Sequence, residues 1–236
     1  MITVALVGAD GAGKSTVGRR LPHELRLPLK YLYMGVNLDS CNLLLPTTRF
    51  LHSMKRGLGK STCQGGPPPA AVARRRSGNG IACALRQLKS TLWVLNLMAE
   101  EWFRQVYAWY CQYRGFIVLL DRHFFCDYYA HDVQSEDRRG LVRRIHGLVL
   151  KRFYPRPDLV ICLDAPAEVL FARKGEGSVE LLEKRRREYL RLKRIVPNFL
   201  ILDAARPADE VTRTVAESIR NFLPGEDSCQ TPRPGG

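Results

Sequence analysis

Residues 2–16 read Ile-Thr-Val-Ala-Leu-Val-Gly-Ala-Asp-Gly-Ala-Gly-Lys-Ser-Thr, and this stretch decides the fold. The run Ile2–Val7 is apolar enough for a strand buried on both faces. Gly8 to Ser15 then match G-x-x-x-x-G-K-[ST], and Val17, Leu21 and Leu25 mark one face of a following helix. A strand, a glycine-rich turn and a helix in this order make a phosphate-binding loop. Gly8, Gly11 and Gly13 let the backbone turn its N–H groups onto phosphates, and the positive end of the helix adds to them. Lys14 is expected at the β- and γ-phosphates, and the Ser15 hydroxyl, beside Thr16, at Mg²⁺. Such a loop serves GTPases, helicases, ATPases and small-molecule kinases alike, so a nucleotide with Mg²⁺ is expected on it, ATP in the case of a kinase. Pro22 is expected to end or kink the helix.

Working outward, four more short apolar runs read as strands: around Lys30–Met34, Phe116–Leu120, Leu159–Leu163 and Phe199–Leu202. Between them Leu88, Leu92, Leu95, Ala99, Trp102 and Val106 recur at helical spacing, as do Leu141, Ile145, Leu148 and Val149. Val211, Val215, Ile219 and Phe222 mark the last helix, with Asp209 and Glu210 in its first turn where the dipole favours them. Strands alternating with helices predict an α/β fold: a parallel sheet of about five strands with helices on both faces. A single domain is expected over 1–223. It carries a mobile, basic, Pro- and Gly-rich insertion at about 55–80, and residues 224–236 form a frayed tail.

The chain has 236 residues, 45% of them hydrophobic and 25% charged, which excludes a disordered or collagen-like chain. No run reaches the roughly 18–20 apolar residues of a bilayer span, so no membrane partner is expected. The N-terminus lacks the basic region of a signal peptide. Seven scattered cysteines without a Cys-x-x-Cys pair argue against a zinc site or a disulfide framework, and a cytoplasmic location is expected. The net charge is +14, unevenly spread. Between Ser40 and Ala99 there are nine basic residues and no acidic one, and a second basic excess lies over Leu170–Arg194. Such a field favours an anionic partner, a phosphorylated small molecule or a nucleic acid, and composition leaves that choice open.

Three further features carry chemistry. Asp121-Arg122 follows a strand, at the carboxyl end where α/β ligands bind. Asp121 can hold a magnesium-bound water or orient an acceptor, and Arg122 can take a phosphate bidentately. Asp10 places a carboxylate inside a loop whose ligands repel it, which suggests an acceptor hydroxyl as its partner. Finally, Arg173 precedes Gly175-Glu176-Gly177 and the basic run Lys184–Arg187. A helical lid over about 172–190 can bring arginines to a transferring phosphoryl group and exclude water, and Arg173 joins Lys14, Asp121 and Asp10 as the expected catalytic residues. There is no Asn-Lys-x-Asp guanine signature, and the chain has the size of a compact kinase.

With Pro157-Asp158-Leu159 and Leu163-Asp164 ahead of this lid, the sequence resembles the thymidylate kinase family of P-loop nucleoside monophosphate kinases. The resemblance covers 8–16, 98–131 and 157–223. It implies a P-loop kinase fold, with Asp10 on a sugar 3′-hydroxyl and Asp121 and Arg122 as the family's Asp-Arg pair. Phe103 and Arg104 are implied as acceptor-binding residues. Gly11 stands where other members have a loop arginine, which implies lid arginines among Arg173 and residues 185–187. The acceptor implied is a nucleoside monophosphate, dTMP first. A sugar, another small molecule or a nucleic-acid 5′ end are the alternatives. A homodimer is an open expectation, and nucleic-acid binding through the basic insertion is not favoured. The sequence departs from the family's pattern at Tyr33-Met34-Gly35-Val36-Asn37, where members have Phe-Arg-Glu-Pro, and at Cys126, where they have serine.

Overall fold

The computed structural model describes residues 2–35, 43–46, 48–49, 80–123, 126, 141–175 and 177–223. The expected insertion, up to residue 79, and the tail over 224–236 lie outside these residues. Five strands form one parallel sheet: β1 (Thr3–Val7), β2 (Leu29–Tyr33), β3 (Ile117–Asp121), β4 (Leu159–Asp164) and β5 (Phe199–Asp203). Their order is β2-β3-β1-β4-β5. Val4 pairs with Leu159 and Val7 with Cys162, while Asp164 pairs with Asp203. The helices are α1 (Lys14–Leu25), α2 (Gly80–Tyr113), α3 (Leu141–Arg152), α4 (Ala167–Lys174), α5 (Val179–Arg191) and α6 (Ala208–Phe222). This is the α/β architecture that the alternating pattern predicts.

Two compact units divide the chain. The first comprises Met1–Tyr31, Gly115–Leu119 and Pro157–Gly236, and the second Leu32–Arg114 and Leu120–Arg156. In the first, Val4, Leu6, Leu159 and Ile161 of the sheet pack with Val17, Leu21 and Leu25 of α1 and Val215 and Ile219 of α6. Ala5, Val7, Val160 and Cys162, which alternate onto the other face, are buried as well, as continuous apolar strands require. Of the two outcomes expected at Pro22, an end or a kink, the end does not occur there: helix α1 runs to Leu25. Leu21 and Leu25 are both buried, and the Arg26 N–H closes the helix on the Pro22 carbonyl, so packing outweighs the missing proline donor.

The second unit holds a larger departure. Helix α2 forms over 34 residues, but Leu88, Leu92, Leu95 and Val106 of its periodic stripe are exposed. Among the described side chains, its buried positions are Glu100, Glu101, Arg104, Gln105, Ala108 and Cys111. In α3, likewise, Ile145 and Leu148 are exposed and His146 is buried.

Candidate active site

The loop after β1 has the backbone its glycines allow. Gly8, Gly11 and Gly13 have φ of 142°, 89° and 86°, in the region that side-chain-bearing residues avoid. A Cβ on Gly8 would collide with the Leu163 carbonyl of β4, and one on Gly11 would come within 2.5 Å of the Leu170 carbonyl of α4. Position 11 therefore has no room for an arginine. A Cβ on Gly13, by contrast, would meet nothing within 4 Å, so the loop is open on that side. Helix α1 starts there with no side-chain cap and no acidic residue in its first turn. Its positive end is thus available to an anion. Lys14 is buried, and its ammonium donates to the Gly8 carbonyl (2.8 Å) and the Ala9 carbonyl (2.9 Å), folded into the loop's own concavity. Ser15 and Thr16 are exposed in the first turn. Open backbone, lysine and hydroxyl fit a nucleotide triphosphate and its magnesium ion.

Helices α4 and α5 bring cations to this loop. Arg185 donates through Nη1 to the Asp10 carboxylate, and the Lys174 ammonium stands 4.0 Å from its other oxygen. Arg186 is used differently. Its Nε and Nη2 donate to the two oxygens of Asp164, at 2.6 and 2.9 Å, and its Nη1 donates to Glu183 at 3.2 Å. The Asp164 hydrogen bonds raise the guanidinium's pKa further, although burial opposes this. Arg187 is exposed and donates to Glu183, whose carboxyl pKa is lowered by Arg187 first and then Arg186. Ser178 caps α5 by accepting from the Leu181 N–H.

Arg173, expected over the transferring group, is directed elsewhere. Its Nη1 donates to the Ala204 carbonyl (2.7 Å) and its Nη2 to the Ala205 carbonyl (3.1 Å), in the turn between β5 and α6. Those bonds tie the last turn of α4 to the sheet. Among the described cations of α4 and α5, Lys174 and Arg185 reach Asp10 of the phosphate loop. Asp10, expected on an acceptor hydroxyl, carries both of them.

The second unit gathers the remaining expected residues. Asp121 is buried at the end of β3, and its carbonyl accepts from the Met34 N–H at 2.9 Å. Arg122 follows with φ 64°, a left-handed conformation that costs a non-glycine residue about 1–2 kcal/mol. Arg104 Nη1 donates to the Gly35 carbonyl (2.8 Å), and a Cβ on Gly35 would lie 2.7 Å from Cδ of Arg122. Two of the residues expected to hold an acceptor, Arg104 and Arg122, thus converge on Gly35. Phe103 beside Arg104 is half-buried.

Sequence reasoning missed the buried polar groups around them. Glu100 accepts from Arg104 (3.3 Å) and from the Leu45 N–H (3.0 Å), and both Glu101 oxygens lie 3.1 Å from His146 Nε2. Tyr154 packs edge-on against Trp102 and tilted over His123, with ring centroids 5.9 and 5.4 Å away. Burial pushes His123 down to about 3, and burial followed by the Glu101 charge pushes Tyr154 well up. The one available signal was the Glu100-Glu101 pair inside an otherwise acid-free helix.

The chain is similar to several archaeal proteins. One named "Probable thymidylate kinase" from Archaeoglobus fulgidus is 29% identical over 116 residues, 46% of this chain and 56% of that protein. "Probable thymidylate kinase 1" of Saccharolobus solfataricus is 27% identical over 113 residues, 45% and 56% of the two chains. A third, "Probable thymidylate kinase" of Pyrococcus horikoshii, is 28% identical over 119 residues, 47% and 55%. The chain thus spans about half the length of the curated relatives it matches. No protein-family model matches it. Over the stretches matched, the chain resembles these proteins named as thymidylate kinases.

Proposed function

We propose that the protein transfers the γ-phosphoryl group of ATP to a nucleoside monophosphate, with dTMP as the first acceptor. The observation that carries this reading is the phosphate loop with a lid arginine, Arg185, brought onto it by α5. The loop N–H groups and the N-terminus of α1 bind the phosphates. Lys14 leaves its carbonyl partners for the β- and γ-oxygens, and Arg185 meets the charge that spreads over the transferring group. Ser15 would hold the magnesium ion, which neutralises phosphate charge when bound. Arg122 and Arg104 hold the acceptor's phosphate, with Phe103 against its base. Arg173 supports the lid instead of touching the phosphates.

The exposed stripe of α2, continued by Trp109, Tyr110 and Tyr113, supports a homodimer. Sedimentation of the full chain reads that directly.

An acceptor screen tests the activity. ADP release is followed with dTMP, the other nucleoside monophosphates, simple sugars and an oligonucleotide 5′ end. Turnover is expected with dTMP and absent with the oligonucleotide. The reverse result would move the assignment to nucleic-acid phosphorylation. Lys14→Ala is expected to lower kcat by about 10²-fold or more with the melting temperature kept, since it removes preorganised charge from the transition state. Normal turnover in the folded variant would sink the loop assignment.

A further inference from the structure

Arg185 and Arg186 are adjacent in α5, yet their guanidinium groups are committed to opposite degrees. A guanidinium offers a fork of Nε–H and Nη2–H that matches two anionic oxygens. Arg186 spends that fork on Asp164 and its remaining nitrogen on Glu183. Arg185 donates through Nη1 alone, and its Nε and Nη2 engage no other described residue. Asp10 therefore holds Arg185 by the nitrogen outside the fork. The fork itself is left for a ligand of the loop.

The charges agree with this geometry. A carboxylate among phosphate-binding N–H groups repels the ligand unless it is neutralised. Here Arg185 and Lys174 both face the Asp10 carboxylate, which offsets its negative charge beside the loop. Arg185 and Asp10 are mostly shielded, with 30% and 13% of their side chains exposed. An unheld arginine loses rotamer freedom when it meets the phosphates. One already fixed by a carboxylate has lost much of it beforehand, which lowers the barrier.

Resting on the phosphotransferase reading above, we propose that Asp10 is the positioning residue for Arg185. It holds the lid arginine over the phosphate loop with its bidentate edge free for phosphoryl oxygens, instead of binding a sugar hydroxyl of the acceptor. The carboxylate does not touch the reacting atoms.

The test combines hydrogen exchange of α5 in the nucleotide-free protein with steady-state kinetics. The variants are Asp10→Asn, Asp10→Glu, Arg185→Gln and the Asp10→Asn/Arg185→Gln pair, each checked for an unchanged melting temperature. In Asp10→Asn the amides of α5 are expected to exchange faster. In the same variant kcat is expected to fall about tenfold with the acceptor KM unchanged, a loss of positioning and not of binding. Asp10→Glu restores part of both. In the Arg185→Gln background, Asp10→Asn adds nothing further to either readout. Unchanged α5 exchange in Asp10→Asn overturns the proposal. So does a raised acceptor KM accompanied by lost discrimination between dTMP and its 3′-deoxy analogue, which would return Asp10 to the sugar. The exchange measurement needs no turnover. If no acceptor is phosphorylated, it still decides the Asp10–Arg185 question while the phosphotransferase reading falls by itself.

Discussion

Helices α6 and α2 carry the same kind of sequence pattern and use it in opposite senses. In α6, Val211, Val215 and Ile219 recur every four residues and all three are buried. In α2, Leu88, Leu92, Leu95 and Val106 recur as regularly, yet they are exposed while Glu100, Glu101, Arg104 and Gln105 are buried. Periodicity states that a helix has two faces. It does not state which one packs. A polar face can be the packed one when its groups satisfy each other, as Arg104 does by pairing with Glu100 and His146 by hydrogen bonding with Glu101. In the first unit the core is apolar and the ion pairs are partly exposed, on side chains that an incoming phosphate can displace. In the second, among the described residues, paired polar groups are buried beside apolar ones such as Met34, Ala108 and Leu120.

The strongest way to break this contrast is Glu101→Ala. Removing one partner of a buried pair leaves the other desolvated, and a loss of about 3–5 kcal/mol in chemical denaturation is expected. A loss below about 1 kcal/mol would mean that the polar face of α2 is wet, as exposed pairs are.

Cavity variants sharpen the contrast. Ile219→Ala in α6 is expected to cost about 2–4 kcal/mol, because a fully buried side chain is removed from a packed core. Leu95→Ala in α2 is expected to stay within about 0.5 kcal/mol in the monomer, as exposed substitutions do. Equal costs would show that the α2 stripe is covered in solution.

The second unit also predicts an effect of pH. His123 is neutral in the fold because burial has lowered its pKa from 6.5 to about 3. Below pH 6.5 the unfolded chain takes up a proton that the native state refuses, so this contribution to stability is lost as pH falls. Between pH 7 and 5 the loss is on the order of 2 kcal/mol, and His123→Gln is expected to flatten it. The same slope in the variant would assign the pH dependence to other groups.

The phosphate loop and the strands were legible because both are written in contiguous residues. Lys14 is where G-x-x-x-x-G-K-[ST] puts it, and each strand lies within a residue or two of its apolar run. The lid arginine was not legible at the same level. Arg173 and Arg185 flank Gly175 and Gly177, whose φ values of 66° and 81° turn the chain between α4 and α5. The direction of α5, and with it the arginine that faces Asp10, depends on dihedrals that two glycines leave open. Glu101 and His146 lie 45 residues apart, and nothing local pairs them. Charges that pair across such distances look, in sequence, like an ordinary solvated face.

Cys162 has a consequence of a different kind. It lies in β4 opposite both Val7 and Ile201, and burial pushes its thiol up to about 12. At pH 8 only about one such thiol in ten thousand is thiolate, so an alkylating reagent finds almost nothing to attack in the closed sheet. Modification of this one sulfur becomes a stopwatch for the opening of the strands that carry the phosphate loop. A nucleotide seated on that loop slows the stopwatch in proportion to how tightly it is held.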